Sequence, residues 1–457
     1  MATSRGFYVM TNIHHDSWEW ADVSQPGANW TMIEEKLRAS WVQIGKKLAW
    51  KSELVSFEPI NEAPASTAEH GAEINKINQL FLDALAESGG FNSQRLVTLV
   101  SGNMDPIKTS EWFVPPKNIS NPWALQFHYY NPYDFIFSAW GKTTWGSDSD
   151  KAALTDEFAI VRNNFTDVPL IIGEWDASPT NTETGARYRY FDYFIRQASA
   201  IGAATMVWDN GDDHLDRNTG LWRDPVAIDI LMNAAKGVPN SLPDGTTNLD
   251  ATTQQSSAYI YHRFGDDVTD QALPFLLNGN TLESIKVSGG STARPSTDYS
   301  IDGSTVTFKA AFLSTLISPT AEPGSKANLT LNFSAGADLN VEVVQWDTPV
   351  LATTSSKAVA GADLHIPIDY KGLKTVAAVK VLRIDGTIPF DDWTVWLGPL
   401  QQGRATYGKQ YSWDGKSVVI TADAVNDVIT SGLTTGYMFE FYPRIVPLNA
   451  VNYTLEA

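Results

Sequence analysis

A chain of 457 residues is too long for one hydrophobic core and calls for two or three domains. Hydrophobic residues make up 43% and charged residues 19%, which excludes wholesale disorder, and a net charge of −19 argues against nucleic acid, whose phosphates need stripes of Lys and Arg. The absence of cysteine excludes disulfides, thiolate nucleophiles and Cys-based metal sites, and no apolar run is long enough for a membrane span.

In chain order, the first 240 residues alternate strand-like and helix-like patterns, the signature of a parallel α/β fold. Strands are predicted at 7–13, 53–58, 95–101, 123–128, 168–173 and 203–208. Between them, Ile33, Leu37, Trp41, Ile44 and Leu48 recur at helical spacing, as do Ile74, Ile77, Phe81 and Leu85, and later Phe191, Phe194, Ala198 and Ile201. Residues 240–256 are rich in Ser, Thr, Asp, Asn and Gly and read as a linker. Short runs of Val, Ile, Thr, Phe and Leu follow between turn residues: Leu282–Val287, Thr305–Phe308, Ala327–Phe333 and Val341–Gln345. This spacing predicts an antiparallel sandwich. A second β-rich stretch begins near 356, with strands predicted at Ala377–Ile384, Trp393–Trp396, Ser417–Ile420 and Tyr437–Tyr442.

In a parallel α/β barrel, reactive side chains gather at the C-terminal ends of strands. Five of the six predicted strands end in polar and aromatic groups: His14-His15-Asp16, Asn61-Glu62, His128-Tyr129-Tyr130, Gly173-Glu174-Trp175 and Trp208-Asp209-Asn210. Glutamates on two different strand ends suit cleavage of a glycosidic bond, and Glu62 with Glu174 is the best pair. Their structural alternative is a buried carboxylate pair, which is costly because one member must take a proton. Glu58 lies on the same face of its strand as Glu62 and reads as a buried structural carboxylate. The histidine pair is not expected to bind metal, since carboxylate chemistry needs none. Trp18, Trp20, Trp140 and Trp145 lie in loops and are candidates for sugar stacking or for core packing.

Asn61-Glu62, His128-x-Tyr130, Gly173-Glu174 and Trp208, in this order over residues 7–236, resemble the signature set of glycoside hydrolase family 5. Ile-His-His-Asp-Ser-Trp and Val-Trp-Asp-Asn-Gly look most like its endo-β-glucanase and xyloglucanase branch. The resemblance implies Glu62 as acid/base and Glu174 as nucleophile of a retaining β-1,4-glucanase without cofactors. It places Asn61 on the sugar 2-hydroxyl, His128 near the acid/base, Tyr130 on the nucleophile, His14 and His15 near the cleavage point, and Trp208 as the stacking floor. Residues 256–355 resemble an immunoglobulin-like module, and residues 356–457 resemble carbohydrate-binding family 46, notably around Asp391-Asp392-Trp393-Thr394-Val395-Trp396.

The expected architecture is therefore a (β/α)8 barrel over residues 1–245, followed by two all-β sandwich modules at 256–355 and 356–457. Only six strand–helix units are visible, so the barrel is expected to lack its first two, together with an arginine that supports the nucleophile in the family. Truncation at the N-terminus is the expectation, and it would also account for the lack of a leader. The expected partner is a β-glucan polysaccharide, with no nucleic acid and no membrane, and the expected state is a secreted monomer. Two other readings stay open: an inactive fragment that only binds glycan, and a β-mannanase with the same glutamate pair.

Overall fold

The computed structural model describes residues 1–318 and 320–457, which divide into two compact units. The first comprises Met1–Tyr130, Ala152–Asp176 and Gln197–Trp208; the second comprises Asn131–Lys151, Ala177–Arg196 and Asp209–Ala457.

The first unit is built on six parallel strands lying side by side in chain order: β1 (Val9–Thr11), β2 (Val55–Phe57), β3 (Val97–Leu99), β4 (Trp123–Tyr129), β5 (Leu170–Trp175) and β6 (Ala203–Thr205). This is the arrangement of a partial (β/α)8 barrel. The predicted strands stand at the predicted places, most of them shorter. Helix α1 (Trp30–Leu48) starts where the Asn29 side chain accepts from the Met32 N–H, and it buries Ile33, Leu37 and Trp41. Ile44 and Leu48 are only half-buried at its edge. Helix α2 (Ala68–Ser88), capped by Thr67, buries Ile74, Ile77, Phe81 and Leu85. Trp41 meets the rings of Phe57 and Phe81 edge-on at 5.7 and 4.7 Å, and its indole N–H donates to Pro59 O at 2.9 Å. Helix burial is thereby tied to the loop that follows β2.

Alternate residues of the sheet face opposite ways. Phe57, Val97, Leu99, Leu125 and Phe127 are fully buried apolar side chains, while their neighbours Ser56, Glu58, Thr98, Gln126 and His128 are buried polar ones. Between β4 and β5 the register slips after the Phe127–Ile172 pair, so that His128 stands opposite Glu174 and Gly173 is skipped. A Cβ on Gly173 would lie 2.3 Å from Gln126 Nε2, so a larger residue at this bulge would have to displace that buried side chain. One inserted residue thus aims Glu174 at His128.

In the second unit, the strands Tyr259–Arg263, Leu339–Trp346, Gly324–Phe333 and Leu282–Val287 form one sheet, and Tyr299–Asp302, Thr305–Phe308, Gln271–Leu276 and Leu242–Pro243 form another. Phe275 of the second meets Phe333 of the first, with ring centroids 6.3 Å apart. A further pair of four-stranded sheets encloses Ile366, Val379, Val418, Ile420, Tyr437, Phe439 and Leu455. The pairing is mostly antiparallel, but Tyr259–Arg263 runs parallel to Leu339–Trp346, and Ser355–Lys357 parallel to Ala450–Glu456.

Three sequence expectations need correction here, and one open alternative closes. Trp393–Trp396 is not a strand but part of a 3-10 helix, Asp392–Trp396, entered through Asp391 at φ 48°. Two short helices, Ala310–Leu316 and Ala422–Ser431, sit among the strands. Residues 240–256 do not hang free: Asn240 and Ser241 are fully buried, Leu242–Pro243 pairs with Leu276 and Phe275, and Gln254 hydrogen-bonds Thr143. Trp145 is fully buried against Tyr190, so it is a core residue and not a sugar platform.

This unit also buries an ion triad. Glu440, with no exposed surface, accepts from Arg404 Nη2 at 2.6 Å and from Arg444 Nε at 2.8 Å. Arg444 donates further to Gly141 O at 2.8 Å and to Thr143 Oγ1 at 2.9 Å. No described helix is long and apolar enough to cross a membrane.

Candidate active site

All eight candidate residues belong to the first unit, and the strand order explains why they meet. His14 and His15 follow β1, Asn61 and Glu62 follow β2, His128 lies on β4 with Tyr130 just beyond it, Glu174 lies on β5, and Trp208 follows β6. Every one leaves the sheet at the C-terminal edge of its strand.

At the centre, His128 Nδ1 lies 2.7 Å from Glu62 Oε1 and 3.5 Å from Glu174 Oε2. Tyr130 donates its hydroxyl to Glu174 Oε2 at 2.9 Å. One ligand atom from each of Glu62, His128 and Glu174 lies within 4.8 Å of the others. The two carboxylates therefore flank a gap the size of one sugar linkage. The same three atoms would also suit a small cation, a use that the metal-free expectation does not call on. His128 is almost fully buried, whereas the Glu62 and Glu174 side chains keep 24% and 15% of their surface, enough for a ligand to reach.

The electrostatics separate the groups. Burial raises the Glu174 carboxyl above the usual range, and Glu62 adds to the rise, while His128 and the Tyr130 hydrogen bond oppose it. Burial, and then the neighbouring Glu174, push the Tyr130 phenol well up, so it stays a donor. Burial and His15 lower the His14 imidazole. Glu58 is fully buried and raised by that burial, and it accepts from Asn12 Nδ2 and Thr98 Oγ1, both at 2.9 Å. It braces β1 and β3 from β2, as its sequence position implies.

Around this centre, the His14 ring lies nearly parallel to the Trp208 indole at 6.4 Å and edge-on to His15 at 4.1 Å. His15, at φ 71°, packs on Trp18 at 4.8 Å. Asn61 is held by its N–H to Ile13 O at 3.0 Å, and its buried Oδ1 has no partner among the described residues. Glu62 itself sits at φ 39°, a region that side chains larger than glycine rarely enter. Its carbonyl accepts from Trp18 Nε1 at 3.2 Å and its N–H faces Met104 Sδ at 3.3 Å. Sequence reasoning passed over Asn12, Asn103 and Met104. The end of β3 carries no carboxylate or aromatic group to draw attention; its only signal is its place beside the other strand ends.

The chain is similar to known proteins along its whole length. Residues 1–214 match the family described as Cellulase (glycosyl hydrolase family 5), and residues 254–343 match Carbohydrate binding domain X2. Endoglucanase B of Paenibacillus lautus is 27% identical over 473 aligned residues, which take in all of this chain and 77% of that protein. Cellulase/esterase CelE of Acetivibrio thermocellus is 30% identical over 262 residues, covering 53% of this chain and 32% of its own length. Among solved structures, a tri-modular GH5 (subfamily 4) endo-β-1,4-glucanase from Bacillus licheniformis complexed with cellotetraose superposes with a TM-score of 0.86 at 29% identity, over all of this chain and 83% of that one. The full-length tri-modular endo-β-1,4-glucanase B from Bacillus halodurans shares the fold, with a TM-score of 0.80 at 23% identity over 99% of this chain and 82% of its own.

Proposed function

We propose that this chain, whose residues 1–214 match the family described as Cellulase (glycosyl hydrolase family 5), acts as a member of that family and cleaves internal β-1,4-glucosidic bonds of a soluble glucan with net retention at the anomeric carbon. One observation carries the reading: one carboxylate oxygen of Glu62 lies within 4.8 Å of one of Glu174. Retaining enzymes hold their pair about 5–5.5 Å apart, whereas inverting ones leave roughly 6.5–9.5 Å for a water.

In the first step Glu174 attacks the anomeric carbon, the glycosidic C–O bond breaks, and Glu62 gives its proton to the departing oxygen. In the second, Glu62 takes a proton from water, whose oxygen displaces Glu174 and restores the free carboxylate. The Tyr130 hydroxyl orients the attacking oxygen, and His128 spans the two carboxylates. The unpartnered Asn61 Oδ1 suits a sugar hydroxyl. His14 and Trp208 suit a sugar ring at the cleavage point.

The rest of the chain serves retention on the polymer. We divide it into a catalytic part at 1–245, an immunoglobulin-like module at 256–355 and a carbohydrate-binding module at 356–457. In the last, Trp396 is 87% exposed, too open for a core residue and suited to stacking on a glucan. A polymer outside the cell calls for secretion, and the protein acts as a monomer.

Reducing-sugar release from carboxymethyl-cellulose, xyloglucan and mannan tests the substrate. NMR of the first-formed product tests the stereochemistry, with the β-anomer expected and an initial α-anomer overturning retention. Release from mannan alone would support a mannanase. Glycan retention without any sugar release would support a binding protein.

A further inference from the structure

The loop that carries Glu62 is held by the turn after β3. There Asn103 and Met104 both have positive φ, 53° and 52°. A Cβ on the preceding Gly102 would stand 2.7 Å from the Ala65 Cβ, so glycine alone allows this turn to approach the Asn61–Ala65 loop. Contacts then follow residue by residue. Met104 Sδ meets the Glu62 N–H at 3.3 Å, and the Asn103 N–H donates to Ala63 O at 2.8 Å. The Ala65 N–H donates to Asn103 Oδ1 at 3.1 Å. Lys108 Nζ, on helix α3 (Pro106–Trp112), donates to that same Oδ1 at 2.7 Å and to Ala65 O at 2.8 Å. None of these contacts reaches the Glu62 carboxylate. All of them fix the backbone on which it stands, at an angle the residue does not choose for itself.

We propose that Asn103, braced by Lys108, is a positioning residue for proton transfer by Glu62. Asparagine suits the task doubly, because it tolerates the left-handed backbone and offers a side-chain acceptor to Ala65 and Lys108 at once. This rests on Glu62 being the acid/base. If the clamp loosens, the carboxyl loses its line to the leaving oxygen while the nucleophile on β5 keeps its own.

Proton donation matters only when the leaving group is poor. The test therefore compares kcat/KM, which reports the bond-breaking step, on phenyl and 2,4-dinitrophenyl β-cellobioside. Asn103→Gly keeps the backbone freedom and removes the acceptor, Lys108→Met removes the brace, and Asn103→Asp keeps both acceptor and turn. The first two should lose roughly 10-fold or more on the phenyl substrate, the scale of a misplaced general acid. They should lose no more than about 2-fold on the dinitrophenyl one, where no proton is needed. Asn103→Asp should restore the phenyl rate. Equal losses on both substrates, or none on either, would overturn the proposal in favour of a purely structural turn, and thermal unfolding of Lys108→Met guards against a folding artefact. Glu62→Ala run alongside separates the two claims. It should show the leaving-group dependence in extreme form, with rescue by azide. If it does not, the assignment of Glu62 itself fails, whatever the Asn103 variants do. No turnover of either substrate by the unaltered chain would overturn both claims.

Discussion

Glu174, half-buried, and Glu440, fully buried, are both carboxylates drawn away from water, and their surroundings treat them in opposite ways. Burial raises the Glu174 carboxyl, and the histidine and tyrosine beside it only partly offset the rise. Burial also pushes Glu440 up, but Arg444 and Arg404 together outweigh it and hold the group below the usual range. One site keeps its charge in tension, as the proposed nucleophile requires. The other neutralises its charge to hold loops together. Their partners, more than their burial, tell the two apart.

Four experiments press on this contrast. Glu174→Ala should lower turnover by on the order of 10⁴-fold or more, read as reducing sugar from carboxymethyl-cellulose, while the melting temperature holds or rises because a strained charge is gone. A marked drop in stability would erase the difference. Glu440→Ala should behave the opposite way, destabilising by about 3–5 kcal/mol because two arginines are left buried without a partner; chemical unfolding measures this. The pH sign follows. Glu440, held low when folded, stabilises above its unfolded pKa, and that gain is lost as pH falls through its folded value. Glu174, held high, contributes stability only below its unfolded pKa, and this is lost as pH rises through the folded value.

The third experiment reads Glu174 by kinetics. The acid limb of kcat/KM should lie above the usual glutamate range of about 4.3, since the nucleophile must be ionised. Tyr130→Phe removes a hydrogen bond that favours the ion, so the limb should move further up. A downward move would mean that the hydroxyl acts on another group. The smallest effect belongs to Trp396→Ala. Loss of one exposed stacking face should weaken retention on insoluble glucan about fivefold, the scale of a 1 kcal/mol contact, as measured by pull-down.

The candidate cluster was legible in the sequence because a parallel sheet obeys a positional rule: strand ends converge, and carboxylates and aromatics stand out there. Glu62, His128, Tyr130 and Glu174 followed from that rule together with the family resemblance. Asn103 and Met104 did not, since they meet the Glu62 loop through an amide oxygen and a thioether that no motif marks. In the β-rich half, alternation misled at Trp393–Trp396. The apolar-polar-apolar pattern fits a strand, yet the turn at Asp391 and the tertiary setting impose a helical step. The two short helices were invisible because each spans only a few turns and offers no long period to detect. The polar run at 240–256 looked like a tether, and composition alone does not reveal that Asn240 and Gln254 find buried partners.

Arg444 gives its guanidinium to Gly141 O and Thr143 Oγ1, and Gln254 donates to Thr143 O. Those acceptors come from a stretch that, in sequence, lies between β4 and β5. An evolutionary swap of the β-rich half as a cassette, spliced in near residue 245, would strand a carbonyl and a hydroxyl that were made to receive it. A graft onto a foreign barrel should therefore carry residues 139–145 along with it.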